Sequence, residues 1–157
     1  DSSECTDMSA MFNWCTRLTT INGLENLNTS KVTNMNSMFN TCDHLTSLDL
    51  TGLDISNVVS MINMFKDCTN LTSLDITGWN VSKVTEMNSM FNNCRKLTTL
   101  NLTEWDTSKV TNMDSMFNGC TNLTEIKVSR DKWVISSGCK TTNMFTNSGC
   151  SAVTYVD

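Results

Sequence analysis

Proline is absent from the 157-residue chain, and histidine and tyrosine occur once each. A chain without proline has no preset breaks, which suits a backbone whose N–H donors are all used. The lone His44 leaves no set of imidazoles for a metal site or a histidine-based nucleophile. Charge is also sparse. Charged residues make up 17% of the chain and the net charge is -5, against roughly 25% charged residues in an average soluble domain. An acidic surface offers no electrostatic grip on nucleic acid or on an anionic bilayer. No apolar run approaches the ~18 residues of a membrane helix, and no block of like charge marks a disordered tail. Neither a glycine-rich phosphate loop nor a nucleophile elbow occurs. The expectation is a non-enzyme with no catalytic residue, no cofactor, no metal, no nucleic-acid partner and no membrane insertion.

Small polar residues are abundant: 24 Thr, 20 Asn and 18 Ser. They are arranged periodically. Met-Phe recurs at Met11-Phe12, Met38-Phe39, Met64-Phe65, Met90-Phe91, Met116-Phe117 and Met144-Phe145, which accounts for every phenylalanine. Successive Phe lie 27, 26, 26, 26 and 28 residues apart. A second Met stands three residues earlier in five units (Met8, Met35, Met61, Met87, Met113), with Thr141 in the sixth. Cys15, Cys42, Cys68, Cys94 and Cys120 follow at a fixed offset. Such self-similarity means one unit repeated.

The unit reads D-x-S-x-V-T-x-M-x-x-M-F-x-x-C-x-x-L-T-x-L-D-L-T-x-W. In its first half Val84, Met87, Met90, Phe91 and Cys94 share the spacing of one helical face. Asp106-Thr107-Ser108 and Asn80-Val81-Ser82 stand where N-caps would. The second half alternates, as in Leu71, Leu74, Ile76 and Leu97, Leu100, Leu102. That L-x-x-L-x-L run is the strand pattern of a leucine-rich repeat. One unit cannot bury its own apolar face, but stacked neighbours can. The expected fold is therefore an α/β repeat solenoid. It is a leucine-rich-repeat-like right-handed coil, with short parallel strands on one face and short helices on the other. Residues 1–157 read as a single repeat domain of about five 26-residue units, with an irregular C-terminal cap over 129–157.

Stretches such as Val84-Thr85-Glu86-Met87-Asn88-Ser89-Met90-Phe91 and Leu97-Thr98-Thr99-Leu100-Asn101-Leu102 carry a family likeness. The units resemble the 26-residue repeat of BspA-like bacterial surface proteins and mycoplasma-type lipoproteins, within the leucine-rich repeat superfamily. The resemblance implies an extracellular or cell-surface protein engaged in adhesion and surface interaction. It brings no catalytic motif. Two departures stand out: one extra residue between Ile21 and Leu27, and an irregular stretch from Ser129 to Thr142.

Candidate sites follow from the expected fold. Residues between the strand leucines form three outward columns. The first holds Ser47, Ser73, Thr99 and Glu125. The second holds Asp49, Asp75, Asn101 and Lys127. Thr51, Thr77, Thr103 and Ser129 form the third. They read either as a solvated face or as a shallow, mildly acidic strip for an unknown protein or glycan at a cell surface. A calcium site on the aspartates and ice binding by the Thr column are weaker readings. A structural subunit stacked end to end is the alternative. Its contact would involve Cys5 and Trp14 near one end and Trp133 and Tyr155 near the other, with the end at Asp157 laid on that at Asp1. The cysteine ladder reads as buried free thiols. Cys139 and Cys150, outside the frame, are the candidate disulfide, and without any C-x-x-C pair zinc is disfavoured. Sequons at Asn28, Asn70, Asn80, Asn101 and Asn122 follow from the repeat template.

Overall fold

The N–H groups of the Met-x-x-Met-Phe segment decide the architecture. In the computed structural model, which describes residues 2–156, they alternate in direction. Met35, Ser37, Phe39 and Thr41 donate to the carbonyls of Ser60, Ile62, Met64 and Lys66, one repeat further on, at 2.8–3.0 Å. Between them, Met38, Asn40 and Cys42 donate three residues back, to Met35, Ser37 and Phe39. Asn36 N–H is taken by the Asn34 side chain. Every donor has a partner, half within a run of turns and half across to the neighbouring repeat. The same ladder joins Asp7, Asn34, Ser60, Glu86, Asn112 and Lys140 by parallel bridges.

This corrects the expected α/β solenoid. Among the described residues there is no α-helix; the one helical segment is a 3₁₀ turn, Leu24–Asn26. The spacing of the core explains why. Phe12, Phe39, Phe65, Phe91, Phe117 and Phe145 stack with ring centroids 5.4–5.7 Å apart. An α-helix with its side chains is ~10 Å wide, so none fits into so thin a layer. The helical spacing of the apolar residues is met by consecutive turns instead. Each turn needs a left-handed residue, and these recur in pairs: Ser37 and Thr41, Asn63 and Asp67, Ser89 and Asn93, Ser115 and Gly119. Asn, Asp and Gly tolerate that conformation and are weak helix formers.

The leucine half forms short parallel strands: β1 (Ser47–Asp49), β2 (Ser73–Asp75), β3 (Thr99–Asn101), β4 (Glu125–Ser129) and β5 (Thr154–Val156). Leu48, Leu100 and Ile126 point into the core from β1, β3 and β4 while their flanking residues face outward. The strands do not make one sheet. β1 pairs with β2, and separately β3, β4 and β5 pair in that order. The seam between β2 and β3 coincides with the stacking of Trp79 on Trp105, ring centroids 6.5 Å apart. Trp79 Nε1 donates to Leu50 O at 3.1 Å, one repeat back. Its counterpart Trp105 Nε1 is buried without a partner.

The interior is one apolar cluster running through the repeats. Phe39, Phe65, Phe91 and Phe117 are fully buried, as are Met35, Met38, Met61, Met64, Met87, Met90, Met113 and Met116. Cys42, Cys68, Cys94 and Cys120 are buried free thiols. Each donates to the carbonyl of the preceding repeat's phenylalanine, at 2.9–3.1 Å. The expected Cys139–Cys150 disulfide is not formed, and both are half-buried free thiols. Their neighbours are pinned to different rungs. Lys140 bridges to Asn112, whereas Gly149 N–H donates to Cys120 O. The pairing thus holds Cys139 and Cys150 on separate parts of the repeat.

Candidate functional site

The outward residues of the strands are tied locally before they meet any partner. Asp49 Oδ1 accepts the Thr51 N–H at 3.0 Å and its hydroxyl at 2.7 Å. Asp75 Oδ1 accepts the Thr77 N–H at 3.0 Å. Asn101 Oδ1 accepts the N–H and hydroxyl of Thr103. These side chains close the turn after each strand, as Asx motifs do. The two bonds from Thr51 hold the Asp49 carboxyl below the ordinary carboxylate range, so it stays ionised. On β4, Glu125 and Lys127 face each other at 3.6 Å.

The columns are therefore brought together only in part. Ser47 lies beside Ser73 and Asp49 beside Asp75 on one sheet. Thr99 lies beside Glu125 and Asn101 beside Lys127 on the other. The seam divides them, so there is no continuous strip. Ser129 is in register with Val156 of β5. The hydroxyls of Ser47, Ser73 and Thr99 are exposed and make no hydrogen bond among the described residues.

Among the described residues, the strand face carries a recess of about 480 Å³. Ile21, Gly23 and Glu25 form one wall, and Ser47, Asp49 and Thr51 of the β1 region form the other. Its origin is the extra residue between Ile21 and Leu27. Gly23 takes φ 87°, and the chain turns off into Leu24–Asn26. The first repeat thus has no strand to lay against β1. Gly52 allows the close approach: a Cβ there would lie 3.2 Å from Glu25 Cα. Sequence reasoning singled out Ser47, Asp49 and Thr51 but missed Ile21, Gly23 and Glu25. The extra residue was the signal that could have found them.

The proposed end contacts fare unevenly. Trp14 is 68% exposed and Met11 49% exposed. Cys5 is half-buried, its thiol 3.2 Å from Asp7 O. Trp133 is buried, at 4% exposure. It forms the floor of a smaller apolar recess, about 230 Å³, with Ile135, Phe145 and Tyr155 at its rim. The guanidinium of Arg130 lies 4.8 Å from the centre of the Tyr155 ring. Asp1 and Asp157 lie outside the described residues. His44 is exposed and paired with Asp43 at 3.1 Å. Among the described residues no three His, Cys, Asp or Glu side chains gather to hold a metal ion, and no helix is long and apolar enough to cross a membrane.

A family profile described as "Mycoplasma protein of unknown function, DUF285" matches residues 1–98 and again 67–150. The chain belongs to this family. Overlapping matches of one DUF285 profile are what a repeated unit produces. They take in the turn ladder, the phenylalanine stack, β1 to β4 and both walls of the recess. No curated protein and no solved structure matches this DUF285 chain.

Proposed function

We propose that this protein is a non-enzymatic interaction module, acting outside the cell or at its surface, which binds protein or glycan through the strand face. One observation carries the reading: exposed, hydrogen-bond-capable side chains line a face that opens at β1 into a recess of about 480 Å³. The likeness of its repeats to BspA-like surface proteins supports the location. The test is capture of labelled protein on panels of immobilised glycans and surface proteins. The variant combines Ser47→Arg, Ser73→Arg and Thr99→Arg, three exposed positions that hold no other part of the fold. Capture should fall at least tenfold on every responding spot while the melting temperature stays within a few degrees. Unchanged capture would exclude this face.

A second reading, end-to-end stacking into an extracellular filament, is favoured by the exposed Met11 and Trp14. The counterparts of Met11, Met38, Met64, Met90 and Met116, are fully buried. Another copy, or another repeat, would cover Met11 and Trp14 equally well. Electron microscopy at high concentration reads the outcome. Filaments abolished by Trp14→Ser support stacking, and dispersed particles throughout eliminate it.

A further inference from the structure

We infer that the recess beside β1 is a strand-addition site for an extended, basic peptide segment. This rests on the strand-face reading and names the partner class of its recessed part. The argument starts with the backbone of β1. Thr46 O accepts from Thr72 and Ser73, and Leu50 N–H donates to Asp75 O. Thr46, Leu48 and Leu50 therefore face β2. Alternation along a strand turns the N–H and C=O of Ser47 and Asp49 to the opposite edge. On that edge lies the recess, because Gly23 and the Leu24–Asn26 turn carry the first repeat away. Neither backbone makes a bond to the first repeat among the described residues.

An open edge is a template for another strand, and main-chain pairing of this kind gives affinity without a deep pocket. Side chains around it set the preference. Apolar surface from Ile21 and Leu48 lines it. The only charged side chains in the lining are Glu25 and Asp49, and Asp49 is kept ionised by its two bonds from Thr51. Two carboxylates and no cation favour lysine or arginine in the occupant, alternating with an apolar residue that turns inward. Pairing satisfies the backbone N–H and C=O groups of Ser47 and Asp49. A glycan would use the same groups without the directional ladder.

The probe is a short fluorescein-labelled peptide alternating lysine and valine, compared with its glutamate–valine counterpart, by fluorescence anisotropy on the full chain. The lysine peptide should bind at least tenfold tighter than the glutamate peptide. Ser47→Pro removes one edge donor while leaving the bonds to β2 intact, and should weaken the lysine peptide at least tenfold at unchanged melting temperature. If Ser47→Pro does not fold, Glu25→Lys reads the same site and should narrow or reverse the preference between the two peptides. Equal binding of both peptides by the wild type, no binding of either, or indifference to both substitutions overturns the inference. If immobilised glycans are captured in a Ser73- and Thr99-dependent way while the peptides fail, this site is lost and the strand-face reading stands. Loss of both removes the two together.

Discussion

At the scale of single residues, the thiol ladder couples stability to pH. Burial away from water pushes Cys42 from its ordinary 9.0 up to about 11, and Cys68 and Cys120 up to about 12. Cys94 moves in the same direction for the same reason. Neighbouring thiols in the ladder add to the rise at Cys42, Cys68 and Cys94. A group that holds its proton more tightly folded than unfolded stabilises the fold fully below its unfolded pKa. That contribution is lost as pH rises through the folded value. Urea midpoints should therefore hold steady up to about pH 9, set by the unfolded thiol pKa, and then fall steadily toward pH 11. Cys94→Ala should flatten the slope, and a midpoint independent of pH over that span would contradict the burial. The thiol column was readable from sequence because one apolar residue recurs at one offset. The left-handed residues were less so. Asn63, Asp67 and Asn93 advertise such a conformation, but Ser37, Thr41 and Ser89 adopt it too, and only the cross-repeat bonds hold them there.

At the scale of the element, the turn ladder carries the continuity that was expected of the strands. Its side-chain rungs are unequal, which makes a clean comparison. Asn36 Oδ1 accepts the Ser60 hydroxyl and the Ile62 N–H, both at 2.7 Å. Asn88, two repeats along in the same column, has a buried Oδ1 with no partner. Ile62 fills the intervening place. Asn36→Ile strands two donors and should destabilise by about 1–3 kcal/mol, whereas Asn88→Ile removes an orphan acceptor and should be neutral or stabilising by up to ~1 kcal/mol. Urea unfolding of the two variants checks it, and equal losses would mean the column is not a ladder. The mistaken helix belongs to this scale as well. Val84, Met87, Met90, Phe91 and Cys94 fit a helical face, yet stacked turns place the same residues inward. Layer thickness decides between them, and that is a property of neighbours, invisible in one unit. The seam was equally hidden. Trp79 and Trp105 stand at equivalent places in their units, so nothing in the repeated pattern marks the break between β2 and β3.

At the scale of the whole molecule, nearly every stabilising contact reaches one repeat forward or back. Thiols bond to the preceding phenylalanine, rings stack on rings, and bridges run from Asp7 to Lys140 in single steps. A chain so built should tolerate loss of a complete internal unit. Removing residues 61–86 joins Ser60 to Met87, which occupies the place of Met61 in the frame. The deletion also brings Leu53, which holds the place of Trp79 one unit earlier, directly before Trp105 and removes the Trp79–Trp105 stack. β1 can then pair with β3, and Trp105 Nε1 meets Leu50 O, the acceptor that Trp79 uses at 3.1 Å. The shortened protein should unfold in one cooperative urea transition, with its m-value lower by about a sixth, in proportion to the chain removed. Removing residues 61–82 instead joins Ser60 to Lys83 and puts four extra residues into the junction unit, while the later units keep their spacing to one another. Those extra residues cannot be laid on the neighbouring rung, so that variant should unfold at a clearly lower urea midpoint than the 61–86 deletion. If both deletions unfold alike, the repeats are held by contacts longer than nearest-neighbour ones, and the ladder is not what carries the fold.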